Sequence, residues 1–209
     1  MDKGMSNLLQ WSIENSANAQ AQQQQQSQPQ TREPSNLSQD ALRALMGGPS
    51  DADLMKESMT VILHPEAELS AKLVAFDNFE QLIEQLDNAN NMEPLGLWQP
   101  LMSQLDSTTP EMRKMAAWCV GTAVQNNEKC QQHLLKIGGV TKVAELAVSD
   151  TDGAARRKAV YALSSSVRNF QPAMNEAMKT LPKNVTGPDH VNATDMDVID
   201  AIMSKLREE

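Results

Sequence analysis

The stretch RKMAAWCVGTAVQN, which starts at Arg113, returns 43 residues later as RRKAVYALSSSVRN, starting at Arg156. In that register Ala116 falls on Ala159, Trp118 on Tyr161, Val120 on Leu163, Val124 on Val167 and Asn126 on Asn169. The segments ahead of the two copies correspond at a shift of 42, with Gly96 on Gly138 and Leu101 on Val143, so the one-residue difference falls in a turn. Neither copy can bury its apolar face alone, and a chain built this way folds by stacking one unit on the next.

Helical units of about 40 to 47 residues are the period of armadillo and HEAT solenoids. The composition agrees: aromatic residues are 3% of the chain while Ala, Leu, Met, Gln and Glu abound, a balance that favours helix over strand. The expected fold is all-α, an armadillo-like helical solenoid whose stacked helices present a concave binding surface.

Around this body the chain divides by composition. Residues 1–16 hold a short apolar motif, and residues 17–36, rich in Gln, Ser, Asn and Pro, have too little apolar surface to offset the entropy of ordering them and read as a disordered linker. The armadillo-like domain is expected over 37–181, with a loop at 182–193 and a C-terminal capping helix at 194–209. Within the domain, QDALRALM reads as a helix capped by Ser38 and stopped at Gly47 and Gly48, and PSDADLMKESMTVILHP as a second, ended by Pro65. Leu69, Leu73, Phe76, Phe79, Leu82, Ile83 and Leu86 recur at steps of three and four, which predicts one long helix over 66–87 ending in the turn formers DNANN. The last helix is expected to pack back through Met196, Ile199, Ile202, Met203 and Leu206.

A net charge of −9 repels nucleic-acid phosphates, so no nucleic-acid partner is expected. The chain holds no apolar run long enough to span a membrane and no secretory signal at MDKGMSNLLQ, so no membrane role and a cytoplasmic location are expected. Cys119 and Cys130 have neither metal-ligand nor disulfide spacing, His64, His133 and His190 are scattered, and no catalytic motif joins them. The expectation is a binding protein without catalytic residues, metal or cofactor.

On the helix expected over 111–127, Met112, Ala116, Cys119, Val120, Ala123 and Val124 should face neighbouring helices. That leaves Lys114, Trp118, Thr122 and Gln125 as one exposed strip. The matching strip one unit later is Arg157, Tyr161, Ser165 and Arg168. Trp118 and Tyr161 in register read either as interface anchors or as fill between helices.

LLQWSIENS from Leu8, LDNANN from Leu86, LGLW from Leu95 and the two long copies together resemble the armadillo nucleotide exchange factors of the seventy-kilodalton heat-shock chaperone, most closely the fungal cytosolic Fes branch. The resemblance implies a monomer that grips one lobe of the chaperone's ATPase domain in a one-to-one complex, so that ADP leaves and ATP enters. Asp87, Asn88, Asn91, Arg113, Gly121, Thr122, Gln125, Asn126, Arg156, Lys158 and Arg168 carry the family's motif. With the two strips they give the candidate partner-binding set: Asn88, Asn91, Arg113, Lys114, Trp118, Thr122, Gln125, Asn126, Arg156, Arg157, Tyr161, Ser165 and Arg168. Where larger relatives carry a further armadillo repeat, this chain has QPAMNEAMKTLP and a loop, which makes a smaller clamp.

Leu8, Leu9, Trp11 and Ile13 form an apolar island on the linker. The resemblance implies a client-like segment for the chaperone's cleft, and an amphipathic helix docking on the chain's own solenoid fits the spacing equally. The rival to the whole reading is an armadillo adaptor that clamps an extended peptide. Such arrays place Asn four residues after Trp; here the residues four after Trp118 and Tyr161 are Thr122 and Ser165, whose hydroxyls cannot make the paired bond of an amide.

Overall fold

The computed structural model describes residues 48–187 and 190–208. The Leu8–Ile13 island, the linker and the helix expected at Leu42 to Met46 lie outside these residues. The chain separates into two units, Met1–Ser50 and Asp51–Glu209.

Asp51–Glu209 is all-helical among the described residues. In chain order the helices are α1 (Asp51–Leu63), α2 (Leu69–Ile83), α3 (Leu86–Asn91), α4 (Trp98–Ser103) running into a 3-10 turn at Gln104–Asp106, and α5 (Pro110–Val124). They continue with α6 (Glu128–Lys136), α7 (Gly139–Ser149), α8 (Gly153–Val167), α9 (Gln171–Thr180), α10 (Lys183–Thr186) and α11 (Met196–Glu208). This is the armadillo-like helical solenoid that the repeat predicts.

The repeat recurs in the backbone itself. Thr109 and Asp152, which precede α5 and α8, both have φ −88° and ψ 117°. Asn126 and Asn169, just past the same helices, are both left-handed, at φ 52° and 57°. Asparagine tolerates that region better than other side-chain-bearing residues. Gly96 and Gly138 are left-handed too, at φ 69° and 76°, where a side chain would be strained. Each copy enters its long helix with a different device: Pro110 occupies the first turn of α5, while Asp152 Oδ1 accepts the Ala154 and Ala155 amides at 3.0 and 2.8 Å.

Small residues set the spacing of the layer. Ala116, Ala117 and Ala123 on α5 and Ala155, Ala159 and Ala162 on α8 are buried, and α5 packs more extensively on α8 than on any other element. Close axes need small side chains at the contact. Helix α2 lies against α5 on one side and α11 against α8 on the other, so α2, α5, α8 and α11 form a ladder. Phe76, Phe79, Leu101, Leu134, Leu163, Met174 and Ile199 fill the space behind it; each buried side chain of that size contributes about 1.5 to 3 kcal/mol.

The expected long helix over 66–87 is in fact two. Gln85 is extended, at φ −75° and ψ 127°, and DNANN belongs to α3 rather than to a turn. The break has a tertiary cause: the Asn88 side chain donates to the Leu82 carbonyl at 2.9 Å, satisfying an end of α2, and to Asp51 Oδ2 at 2.8 Å, tying the junction to α1. The stripe therefore loses register, and Leu86 is 57% exposed while Phe76, Phe79 and Ile83 are buried. The segment read as a loop over 182–193 contains the short helix α10, and α11 packs against both α8 and α10.

Candidate functional site

One groove crosses three rungs of the ladder. Its lining is Glu80 and Glu84 at the end of α2, Trp118 and Thr122 on α5, Gln125 and Asn126 in the turn after it, and Tyr161 on α8, around a volume of about 400 Å³. Five of the residues singled out from the sequence meet there: Trp118, Thr122, Gln125, Asn126 and Tyr161. A larger hollow of about 520 Å³ between α1 and α2, lined in part by Leu54, Val61, Ala75 and Leu82, contains none of them.

The groove is braced from within. Thr122 Oγ1 donates to Glu80 Oε1 at 2.6 Å, and the Tyr161 hydroxyl donates to Gln125 Oε1 at 2.8 Å, so each bond joins neighbouring rungs. Gly121 sets the Tyr161 ring: a Cβ there would stand 2.4 Å from Tyr161 Cε1, so only glycine admits this close approach. The Lys158 ammonium lies 3.6 Å from the centre of the Trp118 ring and 5.6 Å from that of Tyr161. That is cation–π distance. Trp118 and Tyr161 are each half-buried, packed at the base and open to the groove.

Electrostatics follow from this burial. Glu80 is only 4% exposed, and burial pushes its carboxyl above the usual carboxylate range, against the opposing Thr122 hydrogen bond; Glu84 and Asp77 add to the rise and Lys158 counters it. Burial likewise lowers the Lys158 ammonium, with the Glu80 charge working the other way and Lys114 adding to the fall. The two thiols are buried and protonated at neutral pH, Cys130 being pushed up to about 11 by burial and Cys119 well up for the same reason. Among the described residues no group of His, Cys, Asp and Glu could hold a metal ion.

The remaining candidates are placed elsewhere. Arg113 and Arg156 converge on Asp150 at the junction of the two repeats. Arg113 holds the carboxylate with two bonds of 2.7 Å and donates to the Ser107 and Thr108 carbonyls, and Arg156 donates to the Asp150 carbonyl at 3.0 Å. Asn88 is buried at the α1–α2 junction and Asn91 is exposed at the end of α3. Lys114 is half-buried and Arg157 exposed, and neither lines the groove. The strip expected on α8 is not continuous: Ser165 is buried, 8% exposed, and Arg168 is bonded to Ser164 and to Met196 and Asp200 of α11.

Glu80 and Glu84 are lining residues that the repeat did not point to, since α2 lies outside both copies. Glu80 left one trace in the sequence, a charge inside the apolar stripe between Phe79 and Leu82.

Comparison with known proteins places this architecture. A family profile described as nucleotide exchange factor Fes1 matches residues 5–92, and one described as the SIL1/FES1/HPBP1 C-terminal domain matches residues 88–181. The protein named Hsp70 nucleotide exchange factor FES1 of Coccidioides immitis is 56% identical over 210 residues, covering 100% of this chain and 99% of that one. Its namesake in Gibberella zeae is 52% identical, over 99% and 97% of the two chains. The crystal structure of an engineered protein aligns with a TM-score of 0.55 at 19% identity, over 85% of this chain and 74% of that one, a likeness of fold alone. Matched along its whole length by relatives of this identity, the chain belongs to the Fes1 family of nucleotide exchange factors.

Proposed function

We propose that the chain is a nucleotide exchange factor for the seventy-kilodalton heat-shock chaperone, a co-chaperone that holds the ATPase domain on the α2–α5–α8 face and promotes ADP release. The observation that carries this reading is its full-length identity to proteins named Hsp70 nucleotide exchange factor. The face supports it physically, because half-buried Trp118 and Tyr161 at equivalent positions of adjacent repeats are anchors of the kind that dominate interface energies. The complex is one-to-one, with a monomeric factor acting in the cytosol; the buried, unpaired Cys119 and Cys130 suit a reducing compartment. Leu8, Leu9, Trp11 and Ile13 serve on their linker as a client-like segment that aids client release, at an effective concentration raised by the tether.

Exchange of this kind needs no proton transfer and no metal. A factor that prefers the nucleotide-free arrangement of the ATPase lobes weakens ADP binding, and ADP must weaken the factor by the same amount, typically about 1 to 3 kcal/mol. An interface on the order of 1,600 Å² suffices for such a complex. The test is the affinity of this chain for the chaperone's ATPase domain by calorimetry, with and without saturating ADP. Binding weakened about fivefold or more by ADP is expected; equal affinity in the two conditions would refute the reading.

A further inference from the structure

We infer that the groove is a socket for a cationic side chain, a lysine or arginine that the partner's ATPase domain inserts between the carboxylates of α2 and the rings of Trp118 and Tyr161. The inference rests on the exchange-factor reading and adds to it the chemistry by which the groove selects its occupant.

Three observations converge. The hydroxyl donors of the groove are spent internally, Thr122 on Glu80 and Tyr161 on Gln125, so what α2 leaves facing the open volume is negative charge. The lining is also acidic: Glu80 and Glu84 are its charged residues, and neither Lys158 nor Lys114 belongs to it. Lys158 faces Glu80 from α8, but exposed Glu84 enters no ion pair among the described residues, and Asp77 adds to the same field. Finally, the Trp118 ring already carries an ammonium at 3.6 Å, so the aromatic wall is one on which a cation is stable.

A side chain entering here would meet a carboxylate wall on one side and aromatic faces on the other. Its methylene stem would cover ring surface while its head paired with Glu84. Partial exclusion of water strengthens that pairing relative to an exposed salt bridge. A partner carboxylate would meet repulsion from Glu80 and Glu84 instead. The chain's net charge of −9 also steers a basic patch toward this face during encounter.

The experiment measures binding of full-length chain to the nucleotide-free ATPase domain of the seventy-kilodalton chaperone at low and high salt. The variants are Glu84→Lys, Glu80→Gln and Trp118→Ala, with Glu145→Lys on the exposed surface of α7 as a control for net charge. Glu84 is exposed and its replacement leaves the core untouched, so this variant stays informative even where Glu80→Gln perturbs folding. Expected is a loss of about tenfold or more for Glu84→Lys, larger at low salt, with Glu145→Lys close to wild type. Wild-type affinity for Glu84→Lys together with lost affinity for Trp118→Ala overturns the socket and leaves the exchange-factor reading intact. Absence of binding by the wild-type chain overturns both.

Discussion

Glu80 sits where a carboxylate is costly, 4% exposed behind Thr122 and among the side chains of α2. Because burial raises its pKa in the folded state, ionising it costs the fold. The sign follows: its contribution to stability is fully present below the unfolded-state value of about 4.3 and is lost as pH rises through the higher folded-state value. Lys158, Glu84 and Asp77 share this environment, and none is removed by the substitution Glu80→Gln. Thermal melts of that variant should show a smaller loss of stability than wild type between about pH 4 and 7. Parallel melting profiles for the two proteins would show that the carboxyl is not desolvated as described.

The element scale is governed by how one repeat is locked to the next. Asp150 closes α7, and its side chain is 2% exposed while that of its partner Arg113 is 15% exposed. The two-bond fork from Arg113 holds the Asp150 carboxyl below its usual range, so the stabilisation is present at neutral pH and fades as pH falls through that depressed value. Asp150→Asn leaves a guanidinium half-paired between repeats and should cost about 2 to 3 kcal/mol in urea denaturation at neutral pH. A loss within 0.5 kcal/mol, the size of an ordinary surface change, would make the pair ornamental. The same pair explains what was and was not legible in the sequence. Arg113 and Arg156 announced the repeat by their spacing, yet their acceptor Asp150 lies 37 residues beyond Arg113 and only the fold brings it near. The split of α2 from α3 was hidden for the same reason, since Asn88 acts on Leu82 and Asp51 through tertiary hydrogen bonds that no hydrophobic period records.

Across the whole of Asp51–Glu209, the solenoid and five of the seven residues that line the groove could be read before the structure. Trp118, Thr122, Gln125 and Tyr161 follow from the helical strips and Asn126 from the family motif, and all five line the groove. The acidic wall from α2 did not follow, because α2 belongs to neither long copy. The second strip broke at Ser165, which is buried, and at Arg168, which is tied to Met196 and Asp200 of α11, outside the repeat. The central claim is that this groove is where the partner is held, and the direct test fills it. Thr122→Arg adds a long cationic side chain beside Glu80 on a half-buried position of α5, so it blocks the groove and leaves the core behind it in place. Stopped-flow release of a fluorescent ADP analogue from the chaperone should be accelerated by the wild-type chain and scarcely by the T122R variant, with both melting alike. Full acceleration by a folded T122R would contradict the account.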